Sequence, residues 1–368
     1  MEHYLDNAAT TKPCAEAAAA VMSCISSHYG NPSSLHRKGL EAQHEVEYAR
    51  NQVAGALGCK AQEIVFTSGA TESTNLALCG AAAAYGRKRK KIITSAVEHA
   101  SVRETMAHLE TLGFTVVSVP PAEDGLYHAE DFLKEVDKDT CMVSIMLVNN
   151  ENGYRMPVEE VFRTVKRRDP DIITHCDAVQ GFLKVSFKPR TLCADLVSLS
   201  GHKVHALKGA GALYIRQGVR LKPVLYGSRQ EKGLRPGTEG VPVIAAFGAA
   251  AEKLVLTMDE RYDAVSGLRS SLIEQLKEMD GVIIRDLPSA SPYVLNISLL
   301  GYRSEIVLHY LEQREVYISS GSACSKGASS GVLELFGAKP AEVDSALRIS
   351  FCSDNTEEDI AALVQGLK

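Results

Sequence analysis

Between about residue 40 and residue 260, short runs of β-branched and apolar residues alternate with longer stretches of helical period, and this alternation constrains the fold most. The strand-like runs are 63–67, 91–94, 114–119, 142–148, 172–176, 196–199 and 211–215. Amphipathic stretches at 40–57, 73–85, 101–112, 129–136 and 158–168 lie between them. Such alternation predicts an α/β unit with a mainly parallel sheet and helices on both faces, because parallel neighbours need long crossovers and each helix must bury its apolar stripe. Ligands on such sheets collect outside the carboxyl ends of the strands, so chemistry is expected just past those ends.

Beyond residue 243 the pattern changes. Residues 243–279 read as helix broken around Gly267, followed by mixed strands (282–285, 294–298, 316–319, 346–351) and helices (306–314, 357–367). The expectation is a large α/β domain over 14–254 and a smaller α+β domain built from 1–13 and 255–368. A chain of 368 residues accommodates both.

Composition removes several function classes. A net charge of -5 with 23% charged residues gives no polyelectrolyte reason to expect nucleic acid. The Arg87–Lys91 run precedes an apolar segment and reads as a solvated loop entering a strand. The longest apolar stretch, Val241 to Ala251, is interrupted by Pro242 and Gly248, well short of the roughly 20 residues of a spanning helix. Nine cysteines, with no C-x-x-C pair, supply neither a local zinc site nor a thioredoxin motif. No metal is expected, and an odd thiol count without a signal peptide points to a reducing, cytoplasmic setting.

Three strand ends carry chemistry-bearing residues. Phe66-Thr67-Ser68-Gly69-Ala70-Thr71-Glu72-Ser73 is a strand turning through small residues into a helix, whose first amides can cradle a phosphate. It fits neither nucleotide-binding pattern, G-x-x-x-x-G-K-[ST] or G-x-G-x-x-G. His175-Cys176-Asp177-Ala178-Val179-Gln180 delivers a carboxylate from an apolar strand, costly to bury unless it meets a cation or a protonated heterocycle. Asp195 to Lys203 ends a third apolar strand in Ser200-Gly201-His202-Lys203, and a partly desolvated lysine there can form a Schiff base. Taken together, Lys203, Asp177, the Ser68–Thr71 turn and a ring-stacking His99 are what pyridoxal 5'-phosphate requires.

Those residues also carry a resemblance. Tyr4-Leu5-Asp6-Asn7-Ala8-Ala9-Thr10-Thr11, Gly30-Asn31-Pro32-Ser33-Ser34-Leu35-His36, Val148-Asn149-Asn150-Glu151, Gly237-Thr238-Glu239 and Ser319-Ser320-Gly321-Ser322-Ala323-Cys324 join the three motifs above in a near end-to-end likeness to the cysteine desulfurases. These are pyridoxal-phosphate enzymes of class V aminotransferase fold, so the resemblance implies the aspartate aminotransferase-like fold and conversion of L-cysteine to L-alanine. It implies Lys203 as the cofactor lysine, Asp177 on the pyridine nitrogen, Gln180 on the ring hydroxyl and His99 stacked on the ring. Ala70, Thr71, Ser200 and His202 would hold the phosphate, with Thr238 reaching over from a second subunit. Asn150 and Arg348 would hold the substrate carboxylate. Cys324 would take the sulfur as a persulfide for an acceptor or iron–sulfur scaffold protein, and the enzyme would be a homodimer.

Cys324 sits in a Gly/Ser-rich run with little to pack, and Lys326 beside it favours the thiolate. The other eight cysteines read as small buried hydrophobes. The sequence departs from the commonest family pattern after Cys324, where Val332-Leu333 comes sooner, at Val204-His205-Ala206-Leu207-Lys208-Gly209, and at Phe351-Cys352-Ser353-Asp354.

Overall fold

The structure, a computed structural model, describes residues 2–321 and 331–368. The chain opens with a short strand, β1 (His3–Tyr4), and two helices, α1 (Ala15–Ser26) and α2 (Arg37–Leu57). Strands β2 (Ile64–Thr67), β3 (Lys91–Ser95), β4 (Thr115–Val119), β5 (Thr140–Met146), β6 (Ile173–Asp177), β7 (Leu196–Ser200) and β8 (Gly211–Ile215) then form one seven-stranded sheet. Helices α3 (Ala70–Tyr85), α4 (Ala100–Thr111), α5 (Ala129–Leu133) and α6 (Val158–Arg168) are its crossovers. The order is β2-β8-β7-β6-β5-β3-β4, and only β8 runs against its neighbours. Every residue of β5, β6 and β7 is buried, as a sheet covered on both faces demands.

Helix α7 (Val241–Val255) packs on α1 and α2, and α8 (Met258–Lys277) leads into the second sheet. That sheet is antiparallel, in the order β12 (Ser319–Ser320), β13 (Ala346–Ser350), β10 (Val294–Leu299), β9 (Val282–Arg285). Helix α9 (Ser304–Glu312), the strand β11 (Val316–Tyr317), the short helices α10 (Val332–Leu335) and α11 (Pro340–Asp344), and α12 (Glu357–Leu367) complete the fold. A separate apolar core of Leu5, Leu272, Leu295, Ile297, Leu311, Leu347, Ile349 and Leu363 lies under this second sheet. Among the described residues no single helix is long and apolar enough to cross a membrane.

Three expectations are corrected. The helical break falls at Leu256–Thr257, where α7 and α8 meet at 77°, and Gly267 lies inside α8. Gly267 is exposed with open space around its Cα, so it forfeits only about 1 kcal/mol of propensity, while Val265, Leu268, Leu272 and Leu276 pin the helix to its core. The run 316–319 is two strands: β11 pairs in parallel with β1, and past Ile318 β12 pairs antiparallel with β13. Of the eight cysteines expected to be buried, Cys24, Cys141, Cys176 and Cys352 are, whereas Cys14, Cys59, Cys79 and Cys193 are only partly so. Cys193 is in a turn at positive φ, a place chosen for backbone shape and not for burial.

The Arg87–Lys91 run is a loop entering β3, and three of its five cations meet partners among the described residues. Arg89 pairs with Asp169 at 2.6 Å, Lys90 lies over the Phe114 ring, and Lys91 pairs with Asp137.

One contact fixes the turn between β2 and α3. A Cβ on Gly211 would lie 2.6 Å from the Gly69 backbone, so β8 can pass the turn only with glycine there. We expect Gly211→Ala to destabilise the fold by about 1–3 kcal/mol in denaturant melts, the usual cost of overpacking; an unchanged midpoint would refute this close approach.

Candidate active site

The carboxyl ends of β2, β5, β6 and β7 open into one cleft of about 920 Å³. Of the twelve residues singled out from the sequence, ten line it: Ala70, Thr71, His99, Asn150, Asp177, Gln180, Ser200, His202, Lys203 and Arg348. Thr238 is exposed and outside the cleft, and Cys324 lies outside the described residues.

At one end, Gly69 precedes α3, and the first-turn amides of Ala70 and Thr71 have no intrahelical acceptor to use. Glu72 closes the turn by accepting from the Ser68 amide at 2.7 Å and from Arg235 Nε at 2.9 Å. Across the cleft, the 3-10 turn 201–203 follows β7 and presents His202 and Lys203. Burial, with Lys203 and Lys208 nearby, pushes His202 down to about 4, so its ring is neutral and acts by hydrogen bonding.

Asp177 ends β6 and is only 5% exposed. Its Oδ1 accepts from the Val179 amide at 3.0 Å, and it forms no ion pair among the described residues. Burial pushes its pKa up, against the pull of His99 and Lys203. His99 caps α4, its Nδ1 accepting from the Ser101 amide at 3.1 Å. The His99 ring opens to the cleft yet is ringed by protein, and this burial holds its pKa below the ordinary histidine value.

Lys203 Nζ donates to the carbonyls of Ala8 at 2.6 Å and Ala9 at 2.5 Å. Burial first, then the Arg348 guanidinium, pushes its pKa down to about 8, leaving a substantial free-amine share near neutral pH. Gln180 lies beside it, with Nε2 donating to the Ala8 carbonyl at 2.9 Å. Arg348 comes from β13 in the second sheet, 4% exposed, and donates to Asp6 Oδ1, Ser319 Oγ and the Asn150 carbonyl. Its Nε has no hydrogen-bond partner among the described residues.

Several residues here were not foreseen. Asp6 and Ser319 orient Arg348, and Ala8 and Ala9 offer only backbone, which no side-chain pattern reveals. Glu98 lies buried beside Asp177, Oε1 accepting from Ser95 Oγ at 2.6 Å and the Met146 amide at 2.8 Å. Burial, reinforced by the Asp177 charge, pushes Glu98 up to about 8, so it is mostly protonated at neutral pH. Its position between Val97 and His99 at a strand end was the only signal.

Comparison with known proteins follows the same lines. Residues 3–363 match the family model for aminotransferase class-V. A NifS/IcsS protein homolog of Lactobacillus delbrueckii subsp. bulgaricus is 40% identical over 361 residues, spanning 97% of this chain and 94% of its own. A cysteine desulfurase of Nostoc sp. is 38% identical over 366 residues, spanning 98% of this chain and 91% of its own. The solved structure of a NifS-like protein superposes with a TM-score of 0.94 at 37% identity, covering 100% of this chain and 98% of the other. With a cleft built at these strand ends and a match running almost from end to end, the chain belongs to the aminotransferase class-V family.

Proposed function

We propose that this chain is a pyridoxal-phosphate-dependent cysteine desulfurase, which takes sulfur from L-cysteine, leaves L-alanine, and carries the sulfur as a persulfide on Cys324. The observation that carries the reading is the buried, cation-less carboxylate of Asp177 in the same cleft as the partly deprotonated Lys203. A protonated pyridine nitrogen answers that charge, and the α3 first turn with Ser200 and His202 fits a phosphate. When bound, pyridoxal phosphate supplies an aldehyde for the amines of Lys203 and substrate, and a ring that withdraws electrons from the substrate Cα.

The chain's own residues divide the remaining work. Asp177 would pair with the ring nitrogen and favour its protonated form, His99 would stack on the ring, and Gln180 would donate to the ring hydroxyl. The Arg348 fork and Asn150 bind the substrate carboxylate, with Asp6 and Ser319 keeping the guanidinium in place. Lys203 Nζ, once free, accepts the Cα proton. The Cys324 thiolate attacks the substrate sulfur: an S–S bond forms, the substrate Cβ–S bond breaks, and its electron pair returns to the carbon skeleton, which is protonated to alanine. An acceptor thiol, or a scaffold protein that assembles iron–sulfur clusters, then takes the terminal sulfur and frees Cys324. In this reading the enzyme works as a cytoplasmic homodimer. Thr238 closes the phosphate end of a second copy's cleft, in keeping with its exposure and with the exposed Met22, Ile25, Tyr29, Leu35 and Tyr226.

Two variants and one pH profile test this. Lys203→Ala is expected to lose the yellow bound-cofactor chromophore and to lower alanine formation about 10²- to 10⁴-fold; a borohydride-reducible chromophore retained at another lysine would refute the assignment. Cys324→Ser keeps the chromophore but yields no persulfide-bearing peptide by mass spectrometry, and normal sulfide release by it would move the chemistry to a simple lyase. Because only the neutral amine attacks the aldehyde, capture of pyridoxal phosphate by the cofactor-free chain should accelerate as pH rises, with a midpoint near the pKa of about 8. A stopped-flow rate that is flat from pH 6.5 to 9.5 (on the order of a unit and a half either side of that value) contradicts the assignment of Lys203.

A further inference from the structure

Behind the floor of the cleft, a lysine is buried where no carboxylate answers it. Lys184 is 5% exposed, forms no ion pair among the described residues, and its Nζ donates to Gln180 Oε1 at 2.9 Å. The charged and titratable groups that face it are Lys203, Arg348, Arg261 and Cys352, with His205 also on the small cavity it lines, and the Tyr293 ring is 5.9 Å away. That cavity, about 10 Å³, offers at most one water. A buried lysine among cations destabilises the fold, so its retention asks for another reason.

The reason lies in the Gln180 amide. An amide side chain is nearly symmetric in shape, and its partners decide which end points where. Lys184 is a pure donor and the Ala8 carbonyl a pure acceptor, so together they admit one orientation, Oε1 to the back and Nε2 to the cleft. The Ala8 carbonyl alone is a weaker guide, because it also accepts from Lys203 Nζ. We propose that Lys184 is a positioning residue that locks the Gln180 amide with its Nε2 donor toward the cofactor's ring hydroxyl, an inference that rests on the reading above. The lock belongs to the charged form: burial pushes the Lys184 pKa down to about 7, and the neutral amine formed above it can accept as well as donate, so the lock loosens as pH rises past that value.

The test pairs Lys184→Met with Lys184→Arg in the holoenzyme and in the cofactor-free chain. With the lock lost, the pH titration of the bound chromophore in Lys184→Met should move upward by about one unit, the size of one hydrogen bond to an ionised oxygen. Lys184→Arg, which keeps a donor, should titrate near wild type. The cofactor-free Lys184→Met chain should melt at the wild-type temperature or above. In a Gln180→Ala background Lys184→Met should add no further shift. Should Lys184→Met not accumulate as folded protein, Lys184→Ala carries the same comparison. A wild-type titration in a Met variant that still makes alanine from cysteine, or an additive shift in the double variant, overturns the role of Lys184 and leaves the desulfurase reading intact. A wild-type chain that takes up no pyridoxal phosphate overturns both.

Discussion

The site is organised around a negative charge that the fold buries and leaves unanswered. Asp177 stands at the end of the central strand β6, and among the described residues its carboxylate has one hydrogen-bond partner, the Val179 amide. A carboxylate in that position costs free energy unless a cation joins it or a proton neutralises it. Beside it, the Glu98 carboxyl accepts from the Met146 amide, next to Asp177 in the sheet register, and burial pushes Glu98 up to about 8. Two buried carboxyls side by side cannot both ionise readily, and here their surroundings separate them into an acid and a base.

The cleft is completed only because the N-terminal segment ties two sheets together. The Asn7 amide donates to the Ser350 carbonyl, Asp6 accepts from Arg348, and Ser350 Oγ accepts from the Ala8 amide, all on the second sheet. A few residues on, the Thr11 amide donates to the His202 carbonyl and the Cys14 amide to that of His205, beside Lys203. Between these anchors, the Ala8 and Ala9 carbonyls meet Lys203 and Gln180. The segment is thus a strap that bonds the second sheet through Leu5 to Ala8 and the large-domain side of the cleft through Ala8 to Cys14.

What was legible in the sequence follows from these same forces. Every strand of the large sheet was visible, because β5, β6 and β7 are buried on both faces and must be continuous apolar runs. Asp177 and Lys203 stood out since polar groups closing such runs are rare without a reason. α1 was not recognised: it is an alanine-rich stretch outside the strand–helix alternation, and it buries only Ala17 and Cys24. Lys184 was invisible as well, because a lysine four residues past Gln180 reads as a surface charge until the packing of Tyr293, Phe351 and Arg261 around it is known. Backbone groups such as the Ala8 carbonyl leave no trace in residue type at all.

The balance of charge suggests how the proposed reaction keeps its base and its nucleophile in one lysine. Lys203 must be neutral to attack an aldehyde, and burial together with the Arg348 guanidinium depresses its pKa toward that state. In the proposed role Arg348 then receives the substrate carboxylate. An anion on the guanidinium cancels most of its repulsion at Lys203, so the amine becomes more basic as substrate arrives. The same arginine that, after burial, helps lower the Lys203 pKa for cofactor capture therefore relaxes its hold in the proposed step where Lys203 accepts the Cα proton. Asp6, already on one side of the Arg348 fork, limits how large either effect can be, because it screens the guanidinium before any substrate is present. Among the described residues the buried Arg348 Nε has no partner, so in the proposed role the guanidinium retains an unused donor when a substrate carboxylate arrives.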